Sequence, residues 1–350
     1  MANGTDCGRV STPPQGVNQP CAADHAYHKQ TLTAGERAGL LSSPHIQIKP
    51  ELQAVLDWLR NAHSRDSFDK DAVDRVEFPL PVDQYEQFKE LEEVNGCDFA
   101  YRKHDFDPDA EILAIRMQGL KHELIAEDVK ALLGRFIAES QKHADPSVAA
   151  FASSLRALGS SDLKYPSMIC GHPIVRNPDF SFRSKENIVF PVVVGEVAIS
   201  QSTQDLQSKT KGYIQGTLGR IRTVLCIDVD YPGKKGARFS VWRAKFDKTG
   251  KFQGVECDDT VEIRSKDGVK NPDGKVGLVL SLEDFCPARG VTDIAPLKSV
   301  TMTLSTNDLY DIIEAAEADQ QQAKQGEEAE LKAVVEEFKD FKARKHWQAP

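Results

Sequence analysis

Several features that would settle a function class at sight are missing from this chain of 350 residues. No segment approaches the ~18 consecutive apolar residues of a membrane span, so no membrane association is expected. The opening MANGTDCGRVSTPPQG contains no apolar signal-peptide segment. The expected location is therefore intracellular, in cytoplasm or nucleus, and not secreted. The seven cysteines (Cys7, Cys21, Cys97, Cys170, Cys226, Cys257 and Cys286) are odd in number and form no CxxC pair. That excludes a zinc ribbon and a disulfide framework and points to reduced thiols. An excess of basic charge is also missing: the formal net charge is -9. A protein that coats nucleic acid or anionic membrane without specificity is excluded on that ground. Residues 307–350 hold eleven acids against six bases, so they carry about half of the excess. The remainder is close to balanced and leaves room for a local basic groove. No internal repeat is visible.

What is present is enough apolar material for a sizeable core, with 40% hydrophobic and 28% charged residues. Residues 1–45 are rich in Pro, Gly, Ser, Thr and Gln without apolar period, and read as disordered. Residues 46–97 read as an N-terminal helical and strand extension. Its helix over 50–63 begins at Pro50 and aligns Leu52, Val55, Leu56 and Leu59 on one face. A strand over 76–80 and a helix over 81–94 follow. Residues 98–300 read as the main domain. Strands over 99–104 and 112–117 flank the turn DFDPDAE, and helices over 120–143 and 146–158 come next. Strands over 180–182 and 188–197, a helix over 202–218, and strands over 222–230 and 238–244 complete its centre. Ser202, with Asp205 three residues on, caps that helix. Residues 245–293 alternate like extra hairpins. This order predicts an α/β fold: a mixed central sheet flanked by helices, with helical N- and C-terminal extensions. Residues 301–350 read as a C-terminal helical tail, with a helix over 306–318, a polar linker over 320–326 and an amphipathic helix over 327–347. Its stripe of Leu331, Val334, Val335, Phe338 and Phe341 docks on its own domain or pairs with a protein partner or second copy as a short coiled coil.

The chemistry concentrates in PDFSF, FPVVVGEVAISQSTQDL and RTVLCIDVDY. Asp179 starts one strand and Glu196 lies near the end of the next, an arrangement that brings two carboxylates to one sheet edge. Carboxylates held in that way grip a divalent cation such as Mg2+. An acid inside so apolar a run is costly unless it is used, which singles out Glu196. Plainer readings stand beside each residue. Asp179 has the look of a turn acid after Pro178, and Glu196 of an edge acid paired with Arg183 or Lys209. Glu123 suits the first turn of any helix. Cys170 and His172 alone fall short of a zinc site, Asp228 and Asp230 read as strand-end turn acids, and Trp242 reads as core.

These segments resemble the PD-(D/E)xK nuclease superfamily, the restriction-endonuclease-like fold, over about residues 98–245. The strand-to-helix junction ILAIRMQGLKHELI, with PDFSFR, FPVVVGEVAISQS and VLCIDVDY, is most similar to a group of uncharacterised restriction-endonuclease-like proteins. The resemblance implies Mg2+-dependent (or Mn2+-dependent) endonuclease activity, hydrolysing phosphodiester bonds in nucleic acid, DNA ahead of RNA. It implies that Asp179 and Glu196 bind the metal with the Val197 carbonyl, and that Glu123 holds a second metal or a metal-bound water. The superfamily places a lysine two residues after the Glu, where this chain has Ala198. Asp205, Lys209 and Tyr213 recur every four residues on one helix face, and relatives with a D-x3-K-x3-Y pattern make Lys209 the migrated catalytic lysine, ahead of Lys211 and Gln201. Lys209, Lys211, Arg220, Arg222, Lys234 and Lys235, with Arg238, form the basic set for a nucleic-acid groove. The alternative is a catalytically inactive nuclease-fold protein that binds nucleic acid or a protein partner.

Overall fold

Fourteen strands and seven α-helices are described in a computed structural model covering residues 48–64, 75–95, 103–116, 118–167, 169–185, 188–199, 202–230, 234–258, 260–287 and 295–345. The expected disorder over 1–45 lies outside these residues, as do the start of the strand expected over 99–104 and Gln201.

Helix α1 (Pro50–Ser64) buries Leu52, Val55, Leu56 and Leu59, the face its spacing defines. Strand β1 (Arg75–Pro79) and helix α2 (Val82–Asn95) follow. Strands β2 (Lys103–Asp107) and β3 (Ile112–Arg116) form a tight hairpin. The turn is shorter than the expected 105–111. Pairing runs on to Asp107, and only residues 108–111 turn, with Glu111 at positive φ. That difference places Asp105 inside a strand. Short strands β5 (Leu163–Pro166) and β6 (Pro173–Arg176) complete a five-stranded sheet, ordered β1-β3-β2-β6-β5. Neither was expected, because four-residue strands that carry prolines leave no alternation to read.

Helix α3 (Leu120–Ser140) and helix α4 (Pro146–Ser154) lead into the second sheet. The expected helix to residue 158 ends at Ser154. Leu155–Leu158 instead forms β4, an edge strand paired with β7 (Phe180–Ser184), and that pairing overrides the local pattern. Strand β8 (Val193–Ile199) begins later and runs further than the expected 188–197. Pro191 has no N–H to donate, while parallel pairing to β9 (Thr223–Val229) continues through Ile199. Helix α5 (Thr203–Gly216), capped by Ser202, is the crossover between β8 and β9. Strands β10 (Ala237–Phe246), β11 (Phe252–Cys257) and β12 (Val261–Arg264) extend this sheet, whose order is β11-β10-β9-β8-β7-β4 with β12 on β10.

Strand β13 (Gly277–Ser281) and a 3-10 turn (Leu282–Phe285) precede α6 (Ala295–Ser299). Strand β14 (Thr301–Ser305) pairs with β13, so the expected tail opens with a strand. Helix α7 then runs unbroken over Thr306–Lys345. The expected linker over 320–326 is helical because Gln, Ala and Lys are good helix formers and the one Gly326 costs only about 1 kcal/mol. The described residues belong to one compact unit. No described helix is long and apolar enough to cross a membrane.

Side-chain alternation divides β8 between two cores. Val193, Val197 and Ile199 face the cluster that includes Ile125, Val129 and Leu133 of α3 and Leu309, Ile313 and Ala316 of α7. Val194 and Ala198 face Leu206, Tyr213 and Ile214 of α5, and Trp242 belongs to this second cluster, as expected. Glu196 lies between Val194 and Ala198 on the α5 side. Gly195 is required where it stands, because an added Cβ would land inside the Phe180 ring of β7.

Candidate active site

Asp179 and Glu196 are brought to one place by the antiparallel contact of β7 and β8. The Asp179 backbone N–H donates to the Gly195 carbonyl (3.0 Å), and the Val197 N–H donates to Asp179 Oδ2 (2.7 Å). The side chains are 0% and 2% exposed. One nitrogen, Arg116 Nη1 from the end of β3, lies 3.3 Å from Asp179 Oδ1 and 3.6 Å from Glu196 Oε2. The two carboxylates thus share a cation, and that cation is a guanidinium.

Helix α5 grips Glu196 from the other side. Lys209 Nζ donates to Glu196 Oε2 (3.0 Å) and Tyr213 OH to Glu196 Oε1 (2.6 Å), as the four-residue spacing allows. Ala198 on β8 presents only a methyl group, and Lys209 reaches the Glu196 carboxylate from the helix. Asp205, one turn earlier, is exposed and exchanges hydrogen bonds with Ser202, which makes it a cap.

A third buried carboxylate was not singled out in the sequence. Asp105 Oδ2 of β2 lies 3.1 Å from Lys209 Nζ and 3.5 Å from Arg116 Nε, and Asp105 Oδ1 accepts from the Asn177 N–H (2.8 Å). Around Asp179, Gln118 Nε2 donates to Oδ1 (2.6 Å), Lys103 Nζ donates at 3.4 Å, and His122 Nε2 lies 3.2 Å from Oδ2. The His122 Nε2–H also donates to the Val197 carbonyl (2.8 Å), the carbonyl expected to serve a metal. Among the described residues, Arg116 Nε and His122 Nδ1 are buried without a hydrogen-bond partner. Glu123 stands at the rim: its side chain is 47% exposed, 3.7 Å from Lys103 Nζ.

Three buried acids (Asp105, Asp179, Glu196) therefore face three bases (Arg116, Lys103, Lys209). Their titration follows from who faces whom. Burial alone would raise Asp105, but the charges of Arg116, Lys209 and Arg176 hold it below the ordinary carboxylate range. Asp179 is likewise held well below that range, against burial, by the His122 ring, Arg116 and Lys103. Glu196 goes the other way. Burial raises it, and the neighbouring Asp179 and Asp105 oppose the relief from Lys209 and Arg116. Burial and the Glu196 charge push the Tyr213 hydroxyl well above its usual value, so it stays a donor.

The remaining basic residues do not gather here. Lys211 lies over the Trp242 ring (5.5 Å), Arg220 donates to the Thr217 carbonyl (3.0 Å) and Arg222 pairs with Glu283 (2.9 Å). Arg222 precedes β9 and the exposed Lys234 and Lys235 follow it, so a seven-residue strand separates them, roughly 23 Å of chain. Cys170 is a free, exposed thiol. Asp228 accepts from Thr203 and Arg238.

Among the described residues, no group of three or more His, Cys, Asp or Glu is arranged to hold a metal ion. The donor chemistry nonetheless fits a hard divalent cation in kind. Two carboxylates converge on a single cationic nitrogen, beside a backbone carbonyl, and all three are oxygen donors. Arg116 occupies the position between the carboxylates. No model of a known protein family matches the chain, and no curated protein matches it.

Proposed function

We propose that this protein is a metal-dependent nuclease with a restriction-endonuclease-like core, working in the cytoplasm or nucleus and hydrolysing phosphodiester bonds in DNA. The observation that carries the reading is the convergence of Asp179, Glu196 and Lys209, with Lys209 Nζ 3.0 Å from the Glu196 carboxylate although the motif lysine position is Ala198. The parallel β8–α5–β9 crossover beside the antiparallel β7–β8 pair supports the fold assignment.

Asp179, Glu196 and the Val197 carbonyl would hold Mg2+ or Mn2+. Such an ion, when bound, polarises the phosphate and makes bound water a stronger acid. Lys209 orients the attacking water and offsets charge on the phosphoryl oxygens. Tyr213 fixes the Glu196 carboxylate, and Asp105 keeps Lys209 beside it. Glu123 offers an acid at the rim, where substrate enters. Lys211, Arg220, Lys234 and Lys235 supply phosphate contacts outside the cluster, while Arg222 is tied up by Glu283.

The test is incubation of the full-length protein with plasmid, single-stranded DNA and RNA in Mg2+ or Mn2+, beside Glu196→Gln and Lys209→Met. Cleavage that drops at least ~100-fold in both variants is expected. Cleavage that persists in Glu196→Gln would place the activity elsewhere. One observation favours a second reading, an inactive nuclease-fold protein that binds nucleic acid or a protein partner. Arg116, Lys103 and Lys209 already balance the charges of the buried Asp105, Asp179 and Glu196. Retention of DNA without cleavage in either metal is its signature. A partner surface for that reading is the far half of α7, where Leu331, Val334 and Val335 are about half exposed. Sedimentation of the full chain against Val334→Glu reads whether a second copy pairs there.

A further inference from the structure

Arg116 is the feature that the proposed reaction does not use. It is one of the most completely buried charges in the cluster, reaches three carboxylates, and its closest contacts to them are all long: 3.3 Å to Asp179, 3.5 Å to Asp105 and 3.6 Å to Glu196. Its Nε finds no hydrogen-bond partner among the described residues, and its Nη2 is anchored on the Asn177 carbonyl. Arginine–carboxylate pairs are frequently bidentate, with two short parallel bonds. Arg116 instead spreads its charge over an acid pair on one side and a single acid on the other.

Resting on the metal reading given above, we propose that Arg116 is a resident cation that competes with the divalent ion for Asp179 and Glu196, and that Asp105 receives the guanidinium when the ion takes its place. Arg116 Nη1 and the ion need the same oxygens, and two positive charges cannot both stay between those carboxylates in so buried a place. Asp105 Oδ2 already lies 3.5 Å from Nε, so the guanidinium has a counter-ion to turn towards without leaving the core. The Asn177 N–H donates to the other oxygen of Asp105 and fixes its orientation, and Lys209 Nζ lies 3.1 Å from Oδ2 on the α5 side. A small turn of Arg116 thus exchanges an acid pair for a single acid. His122, which donates to the Val197 carbonyl and lies 3.2 Å from Asp179 Oδ2, must release both in the same step. The consequence is a threshold: the ion binds more weakly than an Asp–Glu–carbonyl set would by itself.

The test measures Mn2+ binding to the full-length protein by calorimetry and by the metal-induced shift in melting temperature. Arg116→Gln removes the competitor and is expected to bind Mn2+ at least ~10-fold more tightly than wild type, since two unit charges within 4 Å interact by more than that factor. Arg116→Lys keeps a charge there and stays near wild type. Asp105→Asn removes the alternative counter-ion and is expected to weaken Mn2+ binding about threefold or more, by the same Coulomb argument applied to the stronger Arg116 hold on Asp179 and Glu196. A folded Arg116→Gln that binds Mn2+ no better than wild type overturns the proposal while the metal reading stands. Should that variant not fold, unchanged Mn2+ affinity in Asp105→Asn overturns it instead. If wild type, Arg116→Gln and Asp105→Asn all fail to bind Mn2+, the metal reading fails and Arg116 is a permanent counter-ion.

Discussion

Two buried arginines in this molecule solve the same physical problem differently. Arg264, at the end of β12, has a side chain that is 0% exposed and lays its fork on α7: Nη1 and Nη2 reach Glu317 at 3.0 and 2.6 Å, and Nη1 reaches Glu314 at 2.7 Å. The carboxylates of Glu314 and Glu317 are 45% and 28% exposed, so they keep part of their hydration. The charge is buried, but its partners are not, and the geometry is short and bidentate. That is a fastening, joining the second sheet to the long helix. Arg116 has the opposite construction. Its acids are buried with it, every contact to them exceeds 3.2 Å, and other bases share them. A buried ion pair is weak support for stability because desolvation consumes most of the Coulomb gain. Good geometry on half-hydrated acids offsets that at Arg264. Nothing comparable does so at Arg116, which marks the first pair as structural and leaves the second without that support.

The comparison can be broken most severely at Asp179. Asp179→Ala strands Arg116, Lys103, Gln118 and the Val197 N–H without their shared acceptor, and should cost about 3–5 kcal/mol in urea unfolding. Arg264→Met should cost less, about 2 kcal/mol, because its glutamates can turn to water. A larger loss at Arg264 than at Asp179 would mean that stranding the buried partners of Asp179 costs less than cutting the fastening, against the desolvation argument.

Acid titration sharpens the contrast further. Asp105 and Asp179 titrate lower in the folded protein than in the unfolded chain. Their contribution is complete above the ordinary carboxylate range, near pH 4, and is lost as pH falls through it and below. Glu196 is raised, so it takes up its proton earlier in the folded state and softens the upper part of that loss. Wild type should therefore lose urea stability steeply below about pH 4, and Asp105→Asn should show a shallower fall there. An identical slope in the two proteins counts against the ionic role of Asp105.

Smaller effects follow from the same logic. Glu196→Gln should change unfolding stability by less than about 1 kcal/mol, because the ionised acid is poorly favoured where it stands and Lys209 keeps Asp105. That near-neutral cost, set beside the loss of cleavage expected of the same variant, separates chemistry from folding at one residue. Lys211→Ala, which removes a cation lying over the Trp242 ring, should cost about 0.5 kcal/mol.

Much of this site was legible in the sequence, for local reasons. Glu196 stands out because an acid in the run VVVGEVA is expensive. Lys209 and Tyr213 stand out because a four-residue spacing fixes which helix face they share, and the structure joins both to that one acid. Glu123 was legible as a helix-start acid and remains mostly that, at the rim. Asp105 was not legible, because DFDPDAE reads as a turn until the β2–β3 pairing shows where the turn begins. Arg116 gave one signal, a charge ending the apolar run ILAI, of the same kind that exposed Glu196.

By itself, then, the sequence determined the helices with a clear apolar face, the acid pair on adjoining strands and the helix face that Lys209 shares with Tyr213. Each of these depends on neighbours within a few residues, where periodicity and spacing act. Only the tertiary structure decided which cation the acids hold. Arg116 and Asp179 lie 63 residues apart, and Asp105 of the five-stranded sheet meets Lys209 on the crossover helix of the other sheet. Contacts of that range are set by how strands pair and stack, and no local pattern encodes them.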